Sequence, residues 1–278
     1  MSKFTSFAIV GAGYIGLPIT KALASQNVFV VVLTRSSAKT EIPEGVKIAP
    51  VDYDNIATVI QVLKEHRVEV VISTLGPAGW AAQNTAAEAA KAAGVKLFVP
   101  SEFGVPTEGT TAGFMAAKDK SAKYIQSLGL PTARFYNGFF TEGLLDVVGF
   151  STNGKVNIVG KGDKPISWTS MEDVAGFVAH VLTTLPESQL EYSTFRLQGD
   201  RATLIDIASI LKTTPEFVKE VPGPGGERAT QMQALFEAAL GSTGYDANVG
   251  GDGKAKAGSA NDLWPNHHWK SVKEVFNV

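Results

Sequence analysis

Three lysines fall within the short stretch FMAAKDKSAKYIQ, residues 114–126, and a tyrosine directly follows the last of them. A lysine ammonium can act as a general acid or clamp a hydroxylated ligand, or it can simply solvate a helix. Winding 114–128 as a helix at about 100° per residue separates these cases. Phe114, Lys118, Ser121, Ala122, Ile125 and Leu128 share one face, and Asp119, Lys120, Lys123, Gln126 and Ser127 share the other. Lys120 and Lys123 therefore belong to a solvated face, where Asp119 and Lys123 form an i,i+4 pair worth about 0.3 kcal/mol. Lys118 alone points along the apolar stripe. Burying an ammonium without a partner is costly. Lys118 must therefore reach a hydroxyl, a carboxylate or a ligand, or else snorkel to water at the helix edge. Desolvation would lower its pKa and ease proton donation.

A second chemical signature opens the chain. IVGAGYIGLPIT sets Gly11, Gly13 and Gly16 at G-x-G-x-x-G spacing, closing a strand-like run and opening a helical one. In that context Gly11 makes the tight turn, Gly13 lets backbone approach a pyrophosphate, and Gly16 allows close helix–strand packing. The N–H groups and positive end of the following helix favour the phosphates. An NAD site of this type carries Asp or Glu about 20 residues on. This chain has VVLTRSS there, with Arg35. A guanidinium pairs with a 2′-phosphate that a carboxylate would repel, and Ser36, Ser37 and Lys39 can add donors. The expectation is NADPH/NADP+, unless Arg35 is an ordinary surface residue after a strand. Asp52 either contacts the adenine amino group or, like Asp54, caps the helix starting near Asn55. STLG, residues 73–76, ends a strand where backbone lines the adenosine side. The Tyr-x-x-x-Lys pair of ordinary short-chain dehydrogenases is absent: Leu128 follows Tyr124 by four residues and Phe140 follows Tyr136. Lys118 is then the natural candidate for the acid.

These groups need a scaffold. Continuous apolar runs at 6–11, 28–34, 46–51, 68–74, 95–100 and 131–136 read as strands covered on both faces. Helical stretches at 16–26, 54–66, 81–93 and 114–128 separate most of them, several stopped by glycine, as at Gly94 and Gly129. The alternation predicts an α/β Rossmann fold, a doubly wound parallel sheet over 1–150. The helix of Lys118 precedes the sixth strand, so its apolar face can approach the carboxyl ends of the central strands, where ligands bind. A smaller C-terminal α+β substrate lobe is expected over 151–278, partly interleaved, with a strand near 193–198 returning to the sheet. NGKVNIVGKGDKPISW reads as a hairpin with turns at Asn153-Gly154 and Gly162-Asp163. Helices are expected at 170–184 and 203–212, and the glycine-rich 241–260 reads as a long, mobile loop.

The composition excludes other classes. The 278 residues carry a net charge of −2 and no cysteine, so no global field draws in nucleic acid or anionic membrane and no disulfide framework exists. No signal peptide or membrane span is legible, and a cytoplasmic protein is expected. No metal site is expected: His267 and His268 are adjacent and diverge, DYDN and DANVGGDG lack the EF-hand pattern, and GKGDK is not a P-loop.

IVGAGYIG, RSS, VISTLG, VPSEFG, the lysine helix ending SLGLP, and NGFF occur in an order that resembles the NmrA-like, isoflavone reductase-like family of atypical short-chain dehydrogenases. The likeness continues through GKGDKPISWTSMEDVAGFVAHVL and LWPNHHWKSVKEVF. It implies NADPH as hydride donor and, counting back from the Gly-Leu-Pro after the helix, a catalytic lysine at Lys118. The implied cofactor set adds Tyr14 and Ile15 to the glycines, and Thr34, Arg35 and Ser36 at the ribose phosphate. It continues with Asp52, with Ser73, Thr74, Leu75 and Gly76, and with Pro100, Ser101, Phe103, Lys118 and Tyr136. Phe103, Asn137, Phe139 and Trp168 are the substrate candidates, although core packing explains each aromatic equally well. Ser101 and Glu102 either hydrogen-bond near the nicotinamide or start a turn. The expected activity is hydride transfer to a small aromatic, phenolic or enone-type substrate. The alternative is an NmrA-type NADP(H)-sensing regulator without turnover, which would need a protein partner; a homodimer stays open under either.

Overall fold

The computed structural model describes residues 3–35, 42–76 and 79–278. Ser36, Ser37 and Lys39 lie outside these residues. The chain forms two compact units: one of 1–102, 110–135 and 175–195, the other of 103–109, 136–174 and 196–278.

The first unit alternates β1 (Ser6–Val10), α1 (Gly16–Ala24), β2 (Phe29–Thr34), β3 (Lys47–Pro50), α2 (Ile56–Glu65), β4 (Val70–Ser73), α3 (Trp80–Ala93), β5 (Leu97–Val99), α4 (Gly113–Ser127) and β6 (Ala133–Tyr136). Five strands pair in the order β3-β2-β1-β4-β5, all parallel, with Phe7 of β1 opposite both Val30 and Val70. A parallel bridge from Phe98 to Thr132 continues toward β6. This is the doubly wound arrangement, and side-chain alternation explains why the strand runs are wholly apolar. Ala8, Val10, Val31, Leu33 and Val71 pack in one cluster with Val59 and Leu63 of α2, Ala86 and Ala90 of α3, and Ile125 of α4. The alternate set Phe7, Ile9, Val30 and Val32 is equally buried and belongs to the opposite face. Gly94 caps α3 with a left-handed φ of 82°.

The remaining elements are β7 (Phe139–Phe140), α5 (Leu144–Val147), α6 (Phe150–Asn153), β8 (Val156–Val159), β9 (Ile166–Thr169), α7 (Met171–Thr184), α8 (Glu187–Leu190), β10 (Ser193–Arg196), β11 (Asp200–Ala202), α9 (Leu204–Ile210), β12 (Pro215–Val218), α10 (Gly226–Glu237), β13 (Tyr245–Asp246), β14 (Gly251–Asp252) and α11 (Val272–Phe276). β10 pairs with β6. The anticipated hairpin does not form. β8 instead runs parallel to β12, while β9 pairs with β7 and β11. The carboxylate of Glu237 on α10 accepts from the Gly162 N–H at 2.8 Å, capturing the connection before it can close a tight turn. The glycine-rich stretch, anticipated as a long loop, carries the β13–β14 hairpin. It is tied down by Arg196, which donates to the Thr243 carbonyl at 2.6 Å, and by an Arg201–Asp252 ion pair at 2.7 Å. No helix among the described residues is long and apolar enough to cross a membrane.

Candidate active site

The turn after β1 is built around close backbone approach. Gly11 takes φ +92°, which a side chain would strain. A Cβ on Gly16 would lie 2.3 Å from the Gly11 carbonyl oxygen and 2.4 Å from Thr74 Oγ1. Thr74, just past β4, donates to that same carbonyl at 2.7 Å, locking α1 against β1 and β4. A Cβ on Gly13, by contrast, would meet nothing within 4 Å. Ile15 is the N-cap residue of α1, with no side-chain cap and no acidic residue in the first turn, so the positive end of the helix dipole is not neutralised locally. Tyr14 stands 60% exposed beside it. These are the features an anionic dinucleotide needs: a shallow backbone cradle with open space over Gly13 and an uncapped helix start.

At the end of β2, Thr34 is half-buried and Arg35 exposed. The Tyr53 hydroxyl donates to the Leu33 carbonyl at 3.1 Å. Burial pushes that phenol up, and the nearby Arg35 guanidinium partly opposes it. Asp52 is exposed past β3, with Oδ1 accepting from the Asp54 N–H at 3.0 Å. Neither aspartate caps α2; Asn55 does, accepting from the Ala57 N–H.

A chain of hydrogen bonds runs from the end of β4 to the lysine helix. Ser101 Oγ donates to the Leu75 carbonyl at 2.9 Å, and its N–H donates to Gln83 Oε1 at 2.7 Å. Gln83 Nε2 donates to Ser121 Oγ at 2.9 Å, and Ser121 donates to Asn84 at 2.7 Å. Gly76 is exposed and Pro100 buried; the Pro100 carbonyl accepts from the Glu102 N–H at 2.7 Å. The Ser73 side chain is fully buried at the end of β4, with Oγ unpartnered among the described residues.

Lys118 is half-buried on α4. Its Nζ donates to the Glu102 carbonyl at 2.6 Å and lies 5.6 Å from the centre of the Trp80 ring. Burial lowers its pKa below the usual lysine range; the Glu102 carboxylate pulls it back up and the Arg134 guanidinium pushes it down. Two neighbours do not sit where the helical wheel put them. Phe114 is 45% exposed and stacks on Trp80 with centres 6.3 Å apart. Asp119, assigned to the solvated face, is buried. It pairs with Arg134 at 3.3 Å as well as with Lys123 at 2.7 Å. The wheel could not see that β6 delivers a buried guanidinium to that side of the helix.

Four of the anticipated residues lie in the second unit, together with Tyr136. Phe103 is half-buried with φ +23°. Tyr136 is fully buried, its hydroxyl 3.3 Å from Thr107 Oγ1. Asn137 is fully buried, with Oδ1 unpartnered among the described residues. Phe139 is half-buried, edge-on to Phe236 at 4.5 Å. Trp168 takes the core packing that was the alternative to a pocket wall. Its ring is wholly buried in the cluster of Leu144, Ile166 and Phe236, and its indole N–H is satisfied by the Ala202 carbonyl at 3.2 Å. It is a core residue.

Sequence reasoning passed over Trp80, Gln83 and Arg134. The legible signal was Arg134 itself, a charge inside the otherwise apolar strand TARFY, since a buried guanidinium requires carboxylate partners.

Comparison with known proteins gives a consistent picture. The sequence model of the NmrA-like family matches residues 5–271. An oxidoreductase of Botryotinia fuckeliana is 28% identical over 220 residues, covering 72% of each chain. A phenylcoumaran benzylic ether reductase of Ginkgo biloba is 30% identical over 199 residues, covering 64% of each. In fold, the chain resembles the leucoanthocyanidin reductase–NADPH complex of Vitis vinifera, with a TM-score of 0.77, 20% identity and 98% of both chains covered. It also resembles the NADPH-dependent quinone oxidoreductase of Escherichia coli, with a TM-score of 0.75 at 21% identity and 98% of both chains covered.

Proposed function

Because the chain belongs to the NmrA-like family, we propose that it is an NADPH-dependent reductase whose Lys118 ammonium protonates a small conjugated substrate: an enone, a quinone or a phenol-derived quinone methide. The observation that carries the reading is the Lys118 amine, turned off the solvated side of α4 onto the Glu102 carbonyl just beyond β5. That is the carboxyl end of the sheet, where ligands of doubly wound folds sit. The relatives named as oxidoreductase and reductase support the class of reaction.

The residues fit the cofactor. The cradle at Gly11, Gly13 and Gly16 would receive the pyrophosphate against the start of α1, and Arg35 would pair with the 2′-phosphate. The nicotinamide, when bound, supplies a hydride to an electron-poor carbon. Lys118 then has two tasks: to hold a ribose hydroxyl, and to give a proton to the substrate oxygen that gains negative charge. The loss of its charge on donation is eased by burial.

NADPH oxidation across a panel of enones, quinones and quinone-methide precursors tests this reading. Saturable turnover of a conjugated acceptor is expected. Tight NADPH binding with a flat response across the panel would overturn it in favour of an NADP(H)-sensing regulator. Arg35→Ser tests the choice of cofactor. Losing a charge-assisted pair costs roughly 1.5–3 kcal/mol, so NADPH affinity should fall by about 10- to 100-fold while NADH affinity stays near that of the parent. Fluorescence titration that finds NADH bound more tightly than NADPH by the parent protein would refute the assignment of Arg35.

A further inference from the structure

We propose that the buried cluster Glu102–Arg134–Asp119 is a positioning device for Lys118, in which Glu102 holds the amine with its main-chain carbonyl while Arg134 holds Glu102 by its carboxylate. Glu102 Oε1 accepts from Arg134 Nε at 3.1 Å and from Nη2 at 2.8 Å. The same guanidinium donates to Asp119 Oδ1 from Nη1 and Nη2, both at 3.3 Å. Asp119 lies within α4 and is the immediate chain neighbour of Lys118. The cluster thus ties the turn after β5 and helix α4 to strand β6. Glu102, Asp119 and Arg134 are 2%, 3% and 6% exposed.

Stability alone is a poor reason for this arrangement. Removing a cation and two carboxylates from water is expensive, and well-packed apolar replacements of buried ion pairs are often neutral or stabilising. An aliphatic residue at 134 would suit the strand. What the ions add is direction. The Glu102 N–H is fixed on the Pro100 carbonyl and its side chain on Arg134, so the carbonyl that receives Lys118 has little freedom to turn.

The cluster also sets charge of known sign about Lys118, with Glu102 from the turn after β5, Arg134 from β6 and Asp119 on α4; the other charges of that helix, Lys120 and Lys123, are exposed. Glu102 and Arg134 act on the amine in opposite senses. Neutralising them one at a time should therefore move Lys118 in opposite directions, which a purely structural role would not do.

The catalytic meaning of the inference rests on the reading of Lys118 as the working acid, but its test needs no turnover. The full-length protein is acylated with acetic anhydride across a pH series, and labelling of Lys118 is read by peptide mass spectrometry, with exposed Lys120 as internal control. In Glu102→Gln the ammonium loses a stabilising anion. The labelling midpoint should shift to lower pH, with at least about threefold faster labelling below the midpoint. In Arg134→Met it should shift to higher pH, with labelling slowed about as much. Lys120 should not move. Midpoints that stay put, or that move the same way in both variants, overturn the proposal. Should Arg134→Met not fold, the isosteric Glu102→Gln decides alone by a downward shift or its absence. Opposite shifts in a protein that fails to oxidise NADPH with every conjugated acceptor tested would uphold the cluster and refute the reductase reading; with turnover, the alkaline limb of kcat should follow the labelling midpoint.

Discussion

Gly16→Ala is expected to lose both NADPH affinity and thermal stability, whereas Gly13→Ala loses affinity in a protein that melts like its parent. The two glycines stand in the same turn but face different things. A methyl group on Gly16 would come within 2.3 Å of the Gly11 carbonyl oxygen and 2.4 Å of Thr74 Oγ1. Neither can yield cheaply, because Thr74 Oγ1 donates to both the Val10 and Gly11 carbonyls, at 3.2 Å and 2.7 Å. Helix α1 must back away from the sheet, and overpacking of this kind costs about 1–3 kcal/mol. At Gly13 the methyl group meets open space, so the free protein should be unaffected. It would, however, occupy the room through which the pyrophosphate approaches the backbone. A loss of at least about tenfold in NADPH affinity, near 1.4 kcal/mol, is expected there. The check is a melting curve paired with a fluorescence titration for each variant. Unchanged NADPH affinity in Gly13→Ala would mean that the space over Gly13 is not where the dinucleotide lies.

Much of the scaffold behind this turn could be read from residue patterns. The strands that became β1, β2 and β4 are unbroken apolar runs, and only a sheet covered on both faces makes such runs favourable. Gly94 stops its helix because the left-handed cap it occupies suits glycine. The second half was less legible. Turn-forming dipeptides around Gly154 and Gly162 suggested a hairpin, but Glu237 reaches in from far along the chain to hold the Gly162 N–H. Local turn chemistry carries no trace of such a partner. The same limit applied within the site. A helical wheel places Lys118 inward from its own neighbours, but the burial of Asp119 depends on Arg134, which belongs to a different element. Trp168 shows the converse: an aromatic residue has the same appearance in a sequence whether it lines a pocket or fills a core, and here its full burial among Leu144, Ile166 and Phe236 is what the sequence could not show.

The largest effect on catalysis is expected from Lys118→Met, which keeps the length and apolar stem of the side chain and removes the ammonium. The amine is not an essential packing element: among the described residues it makes one hydrogen bond to a main-chain carbonyl and one contact with the Trp80 face. A fold that tolerates the substitution isolates the chemical contribution. General acid catalysis is typically worth 10²- to 10⁴-fold, and losing a charge-assisted hydrogen bond to the ribose should weaken NADPH binding by about 10- to 100-fold. The pH dependence follows from the same group. The working form is the ammonium, so activity is present below its pKa and lost as pH rises through it. Because burial lowers that pKa, the alkaline loss should begin below the usual lysine range, and Lys118→Met should lack that limb.

The decisive measurement is the single-turnover rate of hydride transfer from saturating NADPH to an accepted conjugated carbonyl, in the parent and in Lys118→Met, followed by stopped-flow absorbance. A fall of about 10²-fold or more with the cofactor still bound is the predicted result. A rate within about threefold of the parent, with the same alkaline limb, would show that the proton comes from elsewhere and that the inward lysine serves only the fold.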